Sequence, residues 1–176
     1  MPPAKPRVIL LTGDGKGKTT SALGMVLRAA GHGMRVALIH FIKCDRDTGE
    51  NRALARFPEV EVHFCGCGFV RNPSPAHLER HRAAAQRGLE LARERLQAPE
   101  PDMVVLDEIC CAVSLGLLDA ADVVAAVRIA PAGKIVFLTG RQAAPALVAL
   151  ADTVSDIACV RHGMDAGWPA QPGVEC

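Results

Sequence analysis

Aromatic side chains are scarce in this sequence: five Phe, one Trp and no Tyr, 3% of 176 residues. Stacking on bases or sugars is therefore not its main business. Charge of one sign is also missing, since 20 Lys+Arg against 19 Asp+Glu leave a formal net charge of +1. No basic excess points to nucleic acid, and no acidic block points to a disordered tail. Apolar stretches are strand-length, short of the roughly 20 residues that a membrane helix needs. The opening residues Met1–Arg7 have no apolar signal-peptide core. Seven cysteines, with Cys110 and Cys111 adjacent, favour reduced thiols in an intracellular, cytoplasmic protein. Cys65 and Cys67 have no second pair at zinc-ribbon spacing.

What is present is Ala, Val and Leu within a 49% hydrophobic composition. A chain of this length is read as one domain, residues 1–176, burying about 70% of its unfolded surface. Residues 1–6 are expected to be flexible. Apolar runs alternate with helical patterns, which favours an α/β fold with a mostly parallel sheet and helices on both faces. The predicted strands are Arg7–Thr12, Val36–Ile42, Val60–Phe64, Met103–Leu106, Lys134–Leu138 and Val154–Val160. Helices are predicted at Lys18–Ala30, Pro75–Gln97, Asp119–Ile129 and Pro145–Leu150. Ser74 and Asp119 are the expected N-caps. Residues 161–176 are expected to be irregular.

The strongest chemical signal is Thr12-Gly-Asp-Gly-Lys-Gly-Lys-Thr-Thr20, between the first strand and the first helix. Gly13, Gly15 and Gly17 let successive N–H groups face one anion, and the helix N-terminus adds positive partial charge. Asp14, Lys16, Lys18, Thr19 and Thr20 complete the loop. Lys18 would neutralise phosphate and the Thr19 hydroxyl would ligate Mg²⁺. A dinucleotide fingerprint fails, because Lys18 holds the place of its third glycine. The loop is one residue short of the usual G-x-x-x-x-G-K-[ST] pattern.

Met103-Val-Val-Leu-Asp-Glu108 ends an apolar strand in two acids, which suits Mg²⁺ at the sheet edge; a helix cap is the plainer reading of the same residues. Phe137-Leu-Thr-Gly-Arg141 brings an Arg fork to that edge, or is a surface turn. Lys43–Glu50 is a polar loop after the second strand. His77 and His81 lie one helical turn apart, a spacing that can bind metal but that reads here as a solvated face. On the loop and the acids alone, an ATPase or small-molecule kinase and a nucleotide-switched binding protein both remain open.

Together these residues resemble the ATP:corrinoid adenosyltransferases of the CobA/CobO/BtuR type. The similarity runs from Val8 to about Glu175. It takes in residues 12–20, Gly31-His-Gly33, Phe41-Ile-Lys43, Gly49-Glu50, Gly66-x-Gly68-Phe69, Val105-Leu-Asp-Glu108 and Thr139-Gly-Arg141. Ala151–Ser155, Arg161-His162, Asp165-Ala-Gly167 and Gly173-Val-Glu175 extend it. The short loop is itself the family's form.

The resemblance implies a P-loop fold and attack by reduced cobalt on the 5′ carbon of ATP, with triphosphate leaving. It implies Lys18 and Arg141 as catalytic residues, residues 13–20 and Arg141 around ATP, and Thr19, Asp107 and Glu108 around Mg²⁺. It further implies ATP reversed relative to other P-loop proteins, a homodimer, and a flavoprotein or other reductant as electron donor. Phe69 and Arg71 fall on the corrinoid side; relatives carry Trp where this chain has Arg71. Some relatives have an N-terminal helix over the nucleotide, for which about six residues are too few.

Overall fold

The computed structural model describes residues 5–70 and 74–174. Among them the chain forms six strands: β1 Arg7–Thr12, β2 Val36–His40, β3 Val60–Phe64, β4 Met103–Asp107, β5 Ile135–Thr139 and β6 Thr153–Asp156. They make one sheet in the order β3-β2-β4-β5-β1-β6, and every pairing is parallel. The helices are α1 Lys18–Gly31, α2 Gly49–Leu54, α3 Pro75–Gln97, α4 Ile109–Ser114, α5 Ala120–Arg128 and α6 Pro145–Leu150.

Alternation along the strands divides the core in two. Val8, Leu10, Ile39, Val104, Leu106, Val136 and Leu138 face one layer, packed with Leu89 and Leu96 of α3, Val123 and Val127 of α5 and Leu147 of α6. Leu11, Val36, Leu38, Met103, Val105 and Phe137 face the other layer, with Ala22, Val26 and Ala29 of α1. Both faces of β2 and β4 are therefore buried, which is why their sequences are almost continuously apolar.

The predicted caps fare differently. The Ser74 hydroxyl accepts the His77 N–H at 3.3 Å and Pro75 opens α3, as expected. Asp119 stands at the N-cap of α5, but its side chain makes no capping bond. Two short helices were not anticipated. Six residues of α2 bury only Leu54, too few for a helical period to register. Helix α4 follows β4 across Asp107-Glu108 alone, and its six residues are too few for a helical period to register.

Several boundaries shift. β2 stops at His40: the last bond to β4 runs from Phe41 N–H to the Asp107 carbonyl at 3.0 Å, and the chain then bends at Phe41 and Ile42. β6 stops at Asp156 and not at Val160: its edge position leaves all four residues exposed, and the chain then turns over the loop after β1. The segment after Arg161 is not wholly irregular, since Gly163–Ala166 forms a 3-10 turn whose first N–H bonds are helped by the His162 ring. Lys5, within the segment expected to be flexible, pairs with Asp152. No helix among the described residues is long and apolar enough to cross a membrane.

Candidate active site

Parallel strands put all their C-terminal ends on one edge, and ligands of open α/β sheets bind outside that edge. Here the ends of β1, β5, β4 and β2 stand side by side. They deliver the glycine-rich loop, Thr139 to Arg141, Asp107 to Glu108, and His40 to Lys43.

The loop is held from behind. Gly15 N–H donates to the Ile157 carbonyl at 2.6 Å, and Ile157 N–H donates to Thr12 at 2.9 Å. A Cβ at Gly13 would lie 2.3 Å from Asp156 Oδ1, and one at Gly15 would lie 2.6 Å from the Ala158 carbonyl. Gly13 and Gly17 also adopt positive φ of 96° and 118°, which side chains disfavour. The chain leaving β6 thus fills the space where side chains would sit, and glycine is required.

Lys18 Nζ donates to the Gly13 and Gly15 carbonyls, both at 2.6 Å, so it bridges the loop it follows. Burial and then the Arg141 charge push its ammonium below the ordinary range. An anion in the loop would reverse that shift. Arg141 donates to Asp14 at 3.1 Å across the loop mouth. Lys16 departs from expectation: its ammonium is bonded to the Val174 carbonyl of the C-terminal segment. That segment encloses a cavity of about 750 Å³ whose walls include Lys16, Met164, Trp168 and Val174. Thr20 is exposed on the first turn of α1.

Asp107 is fully buried and heavily partnered. Its Oδ1 accepts from the hydroxyls of Thr19 at 3.0 Å and Thr139 at 2.7 Å. Its Oδ2 lies 2.9 Å from His40 Nδ1 and 3.4 Å from Lys43 Nζ. Burial pushes this carboxyl up, but the His40 bond, the Lys43 charge and the Thr139 bond outweigh it and hold the group down at about 2. An ionised Asp107 only accepts, so His40 must present Nδ1–H. Lys43 also donates to Thr19 Oγ1 at 3.3 Å.

Glu108 differs from its neighbour. Its backbone is left-handed, φ 62°, and its N–H is tied to Thr139 Oγ1 at 2.9 Å. It occupies the N-cap position of α4 without a side-chain capping bond, so the cap reading of this acid fails. Its Oε2 is buried with no partner among the described residues. Burial and then the Asp107 charge push its pKa up.

The structure therefore unites Lys18, Thr19, Asp107, Glu108, Asp14 and Arg141 at one edge. Phe69 is not joined to them: it follows β3, at the far side of the sheet order, and its ring is 72% exposed. Such exposure excludes a core role for it. Arg71 lies outside the described residues. Sequence reasoning missed His40, whose signal was a lone polar residue closing an otherwise apolar strand. It also missed the backing by Ile157, a backbone contact that no residue type announces.

The family model described as ATP:corrinoid adenosyltransferase BtuR/CobO/CobP matches residues 4–176. The chain belongs to the ATP:corrinoid adenosyltransferase family. A corrinoid adenosyltransferase of Pseudomonas aeruginosa is 41% identical over 169 residues, covering 96% of this chain and 82% of the relative. The corrinoid adenosyltransferase CobA of Salmonella typhimurium is 38% identical over 168 residues, covering 96% and 84%. A corrinoid adenosyltransferase of a Sinorhizobium species is 36% identical over 171 residues, covering 96% and 79%.

Proposed function

We propose that this protein transfers the 5′-deoxyadenosyl group of ATP to the cobalt of a reduced corrinoid and releases inorganic triphosphate. The cobalt(I) lone pair forms a bond to C5′, the C5′–O5′ bond breaks, and its electron pair leaves with triphosphate. Cobalt is thereby oxidised to cobalt(III). Such a nucleophile needs no general base.

The Thr19–Asp107 hydrogen bond carries the choice of site, because it joins the phosphate loop to the acidic strand end. Within that site Lys18, the loop N–H groups and Arg141 would stabilise charge building on the departing oxygen. Arg141 would exchange Asp14 for phosphate, and Lys18 would exchange carbonyls for it. The residues fit Mg²⁺: Asp107 is saturated by neighbours, whereas Glu108 Oε2 is buried and unpartnered. Glu108 and the Thr19 hydroxyl would hold the ion, with Asp107 orienting Thr19; bound there, it would neutralise triphosphate oxygens.

The corrinoid would lie against Phe69 and Arg71. The family resemblance supports a homodimer, a flavoprotein or other electron donor and a cytoplasmic setting. Product identity tests the reaction. With ATP, Mg²⁺ and chemically reduced cobalamin, light-sensitive adenosylcobalamin and triphosphate should form in equal amounts. ADP as product would make the protein a kinase or ATPase, and no product would make it a switch.

A further inference from the structure

Two histidines one turn apart on α3 take no part in the site above; His77 is exposed and His81 part-buried. His77, Arg80 and His81 line a cavity of about 220 Å³, and the fourth wall is Cys67. Positions i, i+3 and i+4 share one face of a helix, so three N–H donor groups converge there. No acidic side chain is among the four lining residues. Along the same helix Arg82, Arg93 and Arg95 each pair with a carboxylate: Glu79, Asp122 and Glu61. Arg80 has no such partner among the described residues. Glu79, the acid nearest in sequence, is committed to Arg82 at 2.8 Å.

The cavity adjoins the loop after β3, since Cys67 lies two residues before Phe69. If the Phe69 ring takes the lower corrin face, the base that occupied that face must move aside. In cobalamin this base is tethered to the ring through a phosphodiester. We propose that the His77–Arg80–His81 cavity binds that phosphodiester and so favours corrinoids that carry a nucleotide tail. A planar guanidinium fork with flanking imidazole N–H groups suits phosphate oxygens, and Arg80 left unpaired by carboxylates is free for it. This assignment rests on the corrinoid reading of the Phe69 loop.

The test compares two corrinoids and one nucleotide. Wild type and an Arg80→Ala/His81→Ala variant are assayed with cob(I)alamin and with cob(I)inamide, which lacks the phosphodiester. The variant should raise KM for cobalamin about tenfold, the scale of one lost charge-assisted bond. KM for cobinamide and for ATP should stay within about twofold, and Arg80→Lys should keep most of the cobalamin affinity. Equal effects on both corrinoids, no effect on either, or a raised ATP KM would overturn the assignment; the last would mean that the cavity serves ATP phosphates. Stoichiometric Zn²⁺ binding to wild type, lost in the variant without a change in cobalamin KM, would overturn it in favour of a metal site. If wild type adenosylates neither corrinoid, the corrinoid reading itself falls and takes this one with it.

Discussion

Lys18 illustrates how one side chain is readied for a ligand. Its ammonium donates to two loop carbonyls, while burial and then the Arg141 charge disfavour its charged form. Phosphate would supply better partners at no reorganisation of the loop. Lys18→Ala should therefore leave a folded protein and lower kcat by about 10²–10³, corresponding to about 2.7–4 kcal/mol of transition-state stabilisation. Circular dichroism with steady-state kinetics checks both halves; wild-type turnover would remove Lys18 from the site. Asp107 makes a complementary prediction about stability. Its folded pKa of about 2 lies below the ordinary 3.8. A depressed carboxyl stabilises the fold above its unfolded pKa, and that contribution is lost as pH falls through the folded value. The gain is on the order of 2 kcal/mol, and wild type should lose its advantage over Asp107→Asn between about pH 4 and pH 2. Denaturant titrations of both proteins at several pH values would show the gap close, or show that Asp107 carries no such linkage.

Elements separate what the sequence announces from what it hides. Long segments with strong periods, such as α3 with Leu89, Ala92 and Leu96 inward, were legible because burial repeats along them. The loop after β1 was legible because backbone geometry demands its glycines. Helices α2 and α4 were not, since six residues hold less than two turns of pattern. The same applies to Asp107: its sequence context marked it as an acid at a strand end, but only the fold reveals four neighbours around it. The loop after β3 is fixed at its root. Gly66 passes so close to Ile42 that a Cβ would stand 2.0 Å from its carbonyl oxygen, and Gly68 N–H bonds that same carbonyl at 2.8 Å. The exposed Phe69 ring is thus carried on a rooted stalk, outside the core. Phe69→Ala should slow turnover of cob(II)alamin with a reductant far more than that of pre-formed cob(I)alamin, because only the first route requires an axial ligand to be displaced. ATP affinity should stay near wild type. The ratio of the two rates decides; an equal fall in both would assign Phe69 another role.

Across the whole molecule, stability is graded from the middle of the sheet outward. Strands β2 and β4 are buried at every position, whereas β3 is half-buried and β6 exposed throughout. Local opening costs least where fewest apolar contacts are lost. Amide exchange should therefore be slowest in β4 and β2 and fastest in β6, read by mass spectrometry or NMR; protection of β6 equal to that of β4 in the isolated monomer would contradict this order. The gradient matters because the chain leaving β6 backs the glycine-rich loop, so the most exposed strand adjoins the proposed nucleotide site. Fold class was readable because it follows from burial patterns, and the loop after β1 because of its unusual backbone needs. The backing by Ile157 and the saturation of Asp107 arise from chain segments far apart in sequence, and no local pattern encodes them.

The C-terminal segment has an optical consequence. Trp168 is the sole tryptophan and there is no tyrosine, so ultraviolet emission comes from one indole. That indole is 73% exposed and lines the large cavity together with Lys16, a member of the phosphate loop. Nucleotide drawing Lys16 away from the Val174 carbonyl would change the polarity around the ring. The molecule thus carries its own fluorophore beside Lys16, and under the proposed function nucleotide binding should shift its emission wavelength without any added label.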